Sequence, residues 1–312
     1  MDLVCLAAGE GTRMGRLGTY LQKCMVPVGL RPFLAHALAQ VLASDAVDVR
    51  RDRLALVVGH LAGQVRAYFG DAVDGLPIVY VEQAERLGTG HALSLAAAAL
   101  RPNAPVLAWQ GDLFPTAAMV DAVARHPAPN VVTLGPGHPD ESPRLRATVA
   151  DDRVTRVWDG DGELYDVGLW KLSPAVLARM TEVRAEKGEY RMLPNLQRSL
   201  DDGAEVGYVV ADAWIHLGGT LPTPDANVRE VVRRVLAASD ALEAAHVTDA
   251  GSVGTGKFGE AEPEASAVDS GSVGTGEFGE AELRASASDS GAAKSGGFRE
   301  AEPRALPEGK RT

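Results

Sequence analysis

Residues 3–15 read LVCLAAGEGTRMG, an apolar run that leads directly into a glycine-rich turn. Apolar runs of the same kind recur at 54–61, 77–83 and 104–112, and helical patterns separate them at 31–43, 62–69 and 88–100. Continuous apolar strands that alternate with helices indicate a parallel sheet, because such strands are buried on both faces. The sequence therefore predicts an α/β sandwich.

The second half of the chain is richer in strand patterns. Four such segments follow one another at 130–136, 146–152, 154–160 and 164–172. Short helical patterns come next around 174–181 and 190–200, and a last strand pattern covers 205–212. A helix predicted from Thr223 to Ala245 begins with Pro224 at its first position. This half predicts a mixed sheet, and we expect the globular domain to cover residues 1–248.

The composition changes near residue 249, where a repeat with a period of 20 residues begins. The three units start at Asp249, Asp269 and Asp289. Each unit carries one Phe among many Gly, Ser, Glu and Ala, too little apolar surface to offset the entropy of ordering the chain. We therefore predict a disordered acidic tail over 249–312. The alternative, that each Phe is a weak contact point for a partner, stays open.

The charge and the apolar content exclude several classes of protein. The 312 residues carry a formal net charge of -11, and the predicted tail accounts for -5 of it. An acidic chain does not suit binding to a nucleic-acid backbone. No apolar run approaches the roughly 20 residues that span a membrane, and the first residues lack the order of a secretory signal. We expect a cytoplasmic protein, in which Cys5 and Cys24 are packing residues.

The glycine-rich turn points to a phosphate site at the carboxyl end of the first strand. Glycines let the backbone approach an anion closely, and successive N–H groups can form a cradle for phosphate oxygens. The Walker pattern is absent, because no Gly-Lys-Ser/Thr closes the loop. The dinucleotide fingerprint also fails, since Gly9 and Gly11 match but the third glycine is one residue late at Gly15. A nicotinamide cofactor is therefore not expected.

Five segments together resemble the sugar-1-phosphate nucleotidylyltransferases. They are LAAGEGTRMG at 6–15, KCMVPVGLRPFL at 23–34, VEQAERLGTGHAL at 81–93, WQGDLF at 109–114 and DVGLWKLSP at 166–174. The resemblance covers roughly residues 1–220. It implies a Rossmann-like three-layer α/β/α sandwich with a mixed, mostly parallel central sheet, of the nucleotide-diphospho-sugar transferase type. It also implies that a nucleoside triphosphate and a phosphorylated sugar are the partners.

The resemblance assigns the catalytic and metal-binding residues. Arg13 would bind the triphosphate and the leaving pyrophosphate, and Lys23 would contact the α-phosphate or the incoming sugar phosphate. Asp112 occupies the position of the family's metal-binding aspartate, which implies Mg²⁺ as the cofactor. The alternatives are that the two cations are solvated charges on a loop, and that Asp112 caps a helix starting near Leu113.

The resemblance also assigns the nucleotide and sugar contacts. The implied nucleotide-binding residues are Ala7, Ala8, Gly9, Gly11, Thr12, Gln83, Gly88 and Thr89, and the implied acceptor-binding residues are Asp166 and Gly168. Gly88 is alternatively only a turn residue and Thr89 only a helix cap, while Asp166 and Gly168 are alternatively the end of a buried strand. We interpret His91 as a packed or surface histidine, because the reaction needs no base.

The match departs from the family pattern at three places. Gln22 stands where the family usually has Pro before the lysine. His216 replaces the aspartate that often supplies a second metal ligand, so Asp212 and His216 are the candidate replacements. Because Mg²⁺ prefers oxygen, His216 is alternatively a contact of a substrate phosphate. The usual Glu-Lys-Pro segment is absent, and VWDGDGELYD at 157–166 occupies its region.

The resemblance implies a Mg²⁺-dependent nucleotidylyltransferase that joins a nucleoside triphosphate to a sugar 1-phosphate. One alternative is a cytidylyltransferase that uses CTP and a non-sugar phosphorylated acceptor such as phosphocholine. Another is a catalytically silent nucleotide-binding regulatory protein. Neither a nucleic acid nor a membrane is an expected partner, and a homo-oligomer is left open.

Overall fold

A computed structural model describes residues 1–136, 143–185, 187–211, 214–217 and 224–250. The strands are β1 (Asp2–Ala7), β2 (Pro27–Val28), β3 (Arg31–Pro32), β4 (Leu54–Val58), β5 (Ala72–Val73), β6 (Leu76–Glu82), β7 (Val106–Gln110), β8 (Leu113–Phe114), β9 (Asn130–Pro136), β10 (Thr148–Ala150), β11 (Arg153–Arg156), β12 (Leu164–Leu172), β13 (Val206–Val210) and β14 (Ile215–His216). The helices are α1 (Leu17–Tyr20), α2 (Phe33–Leu42), α3 (Ala62–Phe69), α4 (Thr89–Ala99), α5 (Ala117–Arg125), α6 (Pro174–Leu177), α7 (Met192–Asp201) and α8 (Pro224–Ala250). Short 3₁₀ turns cover Thr12–Met14, Lys23–Met25 and Pro143–Leu145.

The central sheet has eight strands in the order β13-β9-β12-β7-β1-β4-β6-β5. The strands β7, β1, β4 and β6 pair in parallel, and β13 is parallel to β9. Among the described strands of this sheet, β12, which is antiparallel to both β9 and β7, and the edge strand β5 run against their neighbours. The prediction of a mixed, mostly parallel sheet is confirmed.

Helices cover both faces of this sheet, as β4 shows. All five residues of β4 are buried. Leu54, Leu56 and Val58 belong to the apolar cluster that includes α2, α3 and α5, whereas Ala55 and Val57 belong to the cluster that includes α4, α6 and α7. A strand buried on both sides must be apolar throughout, which is why it reads as a continuous run in the sequence. The predicted three-layer sandwich is confirmed.

Two predicted strands do not join the central sheet. The segments predicted at 146–152 and 154–160 form β10 and β11, which pair only with each other in a two-stranded antiparallel sheet. In β11 only Val154 is buried, and its three neighbours are exposed. Alternating burial is typical of a strand with one solvent-facing side. The helix predicted around 174–181 is a single turn, Pro174–Leu177.

The helix α8 begins at Pro224, as predicted, and ends at Ala250, five residues beyond its predicted end. Its Val231 and Val235 pack in a third apolar cluster with Phe33 of α2 and Ile215 of β14. Among the described residues, no helix is long and apolar enough to cross a membrane. Residues 251–312 lie outside the described part of the chain, so the domain boundary and the tail stay predictions.

We predict that Leu56→Ala lowers the free energy of unfolding by about 3 kcal/mol, because it leaves a cavity in the middle of the sheet. Leu56 has no exposed surface, whereas Leu30, at the turn between β2 and β3, is fully exposed. The control Leu30→Ala should change the free energy by less than about 0.5 kcal/mol. Urea denaturation measures both, and equal losses in the two variants would contradict the packing described for β4.

Candidate active site

A cleft of about 750 Å³ opens where β1, β6 and β7 end. The carboxyl edge of a parallel sheet is where ligands bind in folds of this class. Nine of the predicted residues line this cleft together with Asp112; the nine are Ala7, Ala8, Gly9, Gly11, Thr12, Lys23, Gln83, Gly88 and Thr89. Segments far apart in the chain therefore meet at the predicted site.

Lys23 and Asp112 form an ion pair on the cleft wall, in which Lys23 Nζ donates to Asp112 Oδ2. On the other side, His216 Nε2 lies 3.1 Å from Asp112 Oδ1. Desolvation by burial acts to raise the pKa of Asp112, but the charges of His216 and Lys23 lower that pKa well below its usual value. Asp112 is therefore an anion held between two nitrogen donors.

The backbone places His216 next to Asp112 through a short antiparallel pair. β14 pairs with β8, so that His216 lies opposite Leu113, and the N–H of Leu217 donates to the carbonyl of Asp112 at 2.8 Å. The other candidate replacement, Asp212, lies outside the described residues. The departure from the family pattern thus puts a histidine, rather than a second carboxylate, against Asp112.

Asp112 is not a helix cap. The strand β8 follows it directly, and Thr116 caps α5 by accepting a hydrogen bond from the N–H of Met119 at 3.2 Å. The structure therefore excludes Asp112 as the N-cap of α5.

Gln22 holds Lys23 in place, at the position where the family usually has Pro. The buried Gln22 side chain donates from Nε2 to the carbonyl of Ala7 at 2.7 Å and accepts from the N–H of Cys24 at 2.5 Å. Its own N–H donates to Gln64 Oε1 at 2.9 Å. These bonds tie the turn that carries Lys23 to the end of β1 and to α3, so Gln22 performs a positioning task that its residue type alone did not reveal.

The glycine-rich loop presents successive backbone N–H groups that could bind a ligand. Gly11 has φ of +63°, and a Cβ at this position would lie 3.1 Å from Lys23 Cβ, so the glycine permits the close approach of the two loops. Within the described part of the chain, the N–H groups of Gly9, Glu10 and Gly11 have no hydrogen-bond partner. Successive unpaired N–H groups of this kind suit an anion.

Arg13 lies on the 3₁₀ turn beside the cleft rather than on its wall. It is exposed, and it has no ion-pair partner among the described residues. Arg86, which was not among the predicted residues, lines the cleft together with Glu10 and forms an ion pair with it at 2.5 Å. The partnership of Glu10 and Arg86 depends on two loops 76 positions apart, so no local sequence signal reveals it.

The cleft wall carries more negative than positive charge. Its acidic residues are Glu10, Glu85, Asp112 and Glu189, and its basic residues are Lys23 and Arg86. Both basic residues already pair with acids of the same wall. A polyanionic ligand in this cleft therefore needs additional positive charge.

The turn before α4 is built around Gly88. Gly88 has φ of +95°, and a Cβ would lie 2.7 Å from the carbonyl oxygen of Tyr190. The neighbouring Thr89 is not a helix cap, because Gly88 occupies the N-cap position and Thr89 Oγ1 instead accepts from the N–H of Met192 at 2.9 Å. The segment that includes Tyr190 thus packs directly on the turn that lines the cleft.

Gln83 and His91 contact each other across this turn. The buried Gln83 donates from Nε2 to the carbonyl of Gly88 at 3.0 Å, and His91 Nδ1 lies 3.2 Å from the same nitrogen. The interpretation of His91 as a merely packed or surface histidine missed this bond, because the spacing of the two residues in the sequence does not show which way their side chains point.

Asp166 and Gly168 lie on β12 and are not on the described cleft wall. Asp166 is buried and accepts a hydrogen bond from Trp170 Nε1 at 2.6 Å. Gly168 has φ of +97°, and a Cβ there would lie 3.1 Å from the side-chain amide of Gln110, which does line the cleft. Gly168 therefore leaves room for the side chain of Gln110, a residue of the cleft wall. A role of Asp166 and Gly168 in acceptor binding stays a prediction.

We predict that Gly88→Ala weakens nucleoside triphosphate binding by at least about tenfold, because the turn must move to relieve the contact with Tyr190. Gly63 of α3 is the control, since a Cβ there meets no atom within 4 Å and φ is not positive. Isothermal titration measures both affinities. Unchanged binding by Gly88→Ala would show that the turn does not shape the site.

We predict that Cys24 resists alkylation in the native protein, although it lines the cleft. Burial and, less strongly, the charge of Asp112 raise the pKa of its thiol far above the usual value, so the reactive thiolate is scarce. Mass spectrometry after iodoacetamide treatment at pH 8 should show modification only when urea is present. Rapid modification of the native chain would contradict the described burial.

Comparison with known proteins identifies relatives of this chain. Residues 3–200 match the MobA-like NTP transferase domain. The bifunctional protein GlmU of Cupriavidus taiwanensis is 31% identical over 233 residues, and that of Burkholderia multivorans is 32% identical over 265 residues. These matches cover 70% and 80% of this chain but 49% and 55% of the relatives, so the chain spans about half their length.

Two further matches agree with the match to an NTP transferase domain. The glucose-1-phosphate thymidylyltransferase of Streptomyces antibioticus is 28% identical over 249 residues, which are 76% of this chain and 66% of that protein. A crystal structure of UDP-glucose pyrophosphorylase complexed with UDP-glucose has a TM-score of 0.58 at 16% identity, covering 78% of this chain and 98% of the other, and supports the fold. The resemblance to sugar-1-phosphate nucleotidylyltransferases is confirmed, and the chain belongs to the MobA-like NTP transferase family.

Proposed function

We propose that the chain is a Mg²⁺-dependent nucleotidylyltransferase that joins a nucleoside triphosphate to a sugar 1-phosphate, releasing a nucleoside diphosphate sugar and pyrophosphate. The observation that carries this proposal is the meeting of Lys23, Asp112, Gln83 and the open glycine loop in one cleft. The activities named for the relatives agree with it.

The proposed reaction exchanges one phosphorus–oxygen bond for another. A phosphate oxygen of the sugar 1-phosphate attacks the α-phosphorus, and the bond from that phosphorus to the bridging oxygen of the β-phosphate breaks. The electron pair leaves with pyrophosphate. The attacking oxygen is already anionic near neutral pH, so the protein need not remove a proton. Catalysis then comes from positioning the two polyanions and from stabilising the charge of the transition state.

We propose that Lys23 acts on the reacting phosphate. Its ammonium group lies on the cleft wall beside the open N–H groups of the glycine loop, and Asp112 and Gln22 hold it there. An ammonium group can shift from a carboxylate to a phosphate oxygen by rotation of its flexible side chain. We propose that Lys23 neutralises the α-phosphate, and that Arg13 on the neighbouring turn binds the pyrophosphate end.

The residues at the site fit a loosely held Mg²⁺ ion. No group of three or more His, Cys, Asp or Glu side chains within the described ranges is arranged to form a protein cage for a metal. A single carboxylate such as Asp112, together with substrate phosphates and water, is nevertheless a common way to bind Mg²⁺. The ion would supply the positive charge that the acidic cleft wall lacks and would neutralise the triphosphate. We propose Asp112 as its protein ligand, with His216 as a positioning partner of that carboxylate.

The direct test is a screen for pyrophosphate release, with each nucleoside triphosphate combined with a panel of sugar 1-phosphates and Mg²⁺. CTP with phosphocholine belongs in the same screen, because the chain lacks the usual Glu-Lys-Pro segment. We expect release with at least one sugar 1-phosphate. Pyrophosphate release only with phosphocholine would show that the acceptor is not a sugar phosphate. No release from any pair would contradict the proposed activity.

We predict that Lys23→Met and Asp112→Asn each lower kcat/KM by at least about 10²-fold, because the first removes a cation that faces the reacting phosphates and the second removes the proposed carboxylate ligand of Mg²⁺. The control is Arg16→Met, which removes an exposed cation from the same loop but not from the cleft wall. Steady-state kinetics of pyrophosphate release compare the three variants. If Arg16→Met lowered kcat/KM as much as Lys23→Met does, the loss would reflect the net charge of the loop rather than the position of Lys23.

A further inference from the structure

We propose that a second cavity, at the amino ends of β7 and β9, binds a small organic anion whose carboxylate or phosphate group pairs with Lys171. Two observations carry this proposal. A buried cation without an acidic partner lies on the wall of this cavity, and the rest of the wall suits an apolar ligand body. The site is independent of the proposed function, because it shares no residue with the active-site cleft.

The second cavity has a volume of about 600 Å³ and lies at the opposite edge of the sheet from the active-site cleft. Its wall includes Pro105, which precedes β7, Pro129, which precedes β9, and Ser173, which follows the antiparallel strand β12. The active-site cleft opens where β7 ends. The five residues of β7 therefore separate the two cavities by about 17 Å.

Lys171 is a cation within an otherwise apolar end of β12. It stands between the buried residues Trp170 and Leu172, and only 9% of its own surface is exposed. Lysine is rarely buried to this extent unless an acid pairs with it, because the ammonium group loses its hydration. The position of this lysine therefore requires either a partner within the protein or a ligand.

The carbonyl end of α5 satisfies Lys171 only in part. Lys171 Nζ donates to the carbonyls of Ala124, at 3.4 Å, and of His126, at 2.5 Å, and α5 ends at Arg125. The end of a helix carries about half a unit of negative charge, which is less than the full positive charge of the ammonium group. An ammonium group also has three N–H donors, so the two carbonyls leave one of them for a ligand.

No acid in the described part of the chain forms an ion pair with Lys171. Desolvation by burial lowers the pKa of Lys171, whereas a neighbouring carboxylate would raise that pKa. The other two cations of the cavity wall do have acidic partners, since Arg51 pairs with Asp52 at 3.2 Å and Arg125 with Asp45 at 3.4 Å. An anionic ligand would supply the counter-charge that Lys171 lacks.

The charges on this wall are the reverse of those on the active-site cleft. The charged side chains that line the second cavity are Lys171, Arg51, Arg125 and Asp45, three positive and one negative, in a chain with a net charge of -11. Guanidinium groups bind carboxylates and phosphates through two parallel hydrogen bonds. Both arginines are exposed, so they lie within reach of an anion that enters from solvent.

The uncharged part of the wall determines what else the ligand carries. Four prolines contribute to it, namely Pro105, Pro127, Pro129 and Pro174. Proline has no N–H to donate, and its fixed ring makes a rigid apolar surface. A cavity of about 600 Å³ falls in the range that holds small organic ligands and is larger than a bare phosphate or carboxylate ion needs. The ligand therefore combines one anionic group with an apolar body.

Four probes test the proposed ligand chemistry by isothermal titration of the full chain in a phosphate-free buffer. Phenyl phosphate and benzoate combine an anionic group with an apolar ring, and they distinguish phosphate from carboxylate. Inorganic phosphate lacks the ring, and benzyl alcohol lacks the charge. We expect at least one of the two ring anions to bind with a dissociation constant of about 1 mM or lower. We expect inorganic phosphate and benzyl alcohol to bind at least about fivefold more weakly.

Two variants then locate the bound anion. Lys171→Gln removes the charge but keeps an N–H for a carbonyl of α5, and it should weaken binding at least about tenfold because a charge-assisted hydrogen bond is lost. The control Lys23→Met removes a cation of similar length from the active-site cleft. We expect this control to bind the ring anion with unchanged affinity.

Weakened binding in Lys23→Met together with unchanged binding in Lys171→Gln would place the anion in the active-site cleft and overturn the proposal. Binding of neither ring anion, or equally tight binding of benzyl alcohol or inorganic phosphate, would overturn it as well. If Lys171→Gln does not fold, Arg125→Gln on the exposed part of the same wall replaces it, and unchanged affinity in that variant would count against the site. None of these outcomes depends on pyrophosphate release, so the proposed reaction and this site can fail separately.

Discussion

The ion pair between Lys23 and Asp112 is the interaction on which the whole cleft depends. Lys23 comes from the loop after β1 and Asp112 from the end of β7, so their contact joins two segments at the carboxyl edge of the sheet. Each side chain also neutralises the charge of the other, because a lone, partly buried charge at this place would carry a desolvation penalty. The pair keeps a cation and an anion ready in a cleft whose wall is otherwise acidic.

A second set of contacts orders the turn around Gly88, which also lines the cleft. The backbone of Tyr190 holds the turn around Gly88, and that turn together with His91 orients the amide of Gln83. The cleft is thus bounded by a pair of opposite charges at Asp112 and by hydrogen bonds to a side-chain amide at Gln83. Both arrangements depend on side chains that hold the wall residues in place, such as Gln22, which itself lines the cleft, and His91, which lies beside the described wall.

The sequence predicted the elements that repeat a strong local pattern. The apolar runs of β1, β4 and β7 are recognisable because these strands are buried on both faces, and the glycine loop is recognisable because its turn requires glycine. The placement of β10 and β11 outside the central sheet was not predicted, because strand pairing depends on tertiary contacts that the local pattern does not contain.

For the site, the sequence and the resemblance identified ten of the 21 residues that line the cleft, but not their partners. The bonds of Gln22 to Ala7 and of Arg86 to Glu10 join distant loops, and no spacing reveals them. Arg13 and Asp166 matched family motifs, yet one is exposed beside the cleft and the other bonds Trp170. A motif specifies which residue is present, whereas the direction of its side chain depends on the packing around it.

We propose that Lys23 and the open glycine loop receive the phosphates of a nucleoside triphosphate. A crystal structure of the chain with a non-hydrolysable triphosphate and Mg²⁺ tests this binding mode. We expect a phosphate oxygen within hydrogen-bonding distance of Lys23 Nζ, and phosphate oxygens facing the N–H groups of Gly9 and Gly11. A triphosphate bound elsewhere, or bound in the cleft without contact to Lys23 or the loop, would contradict it.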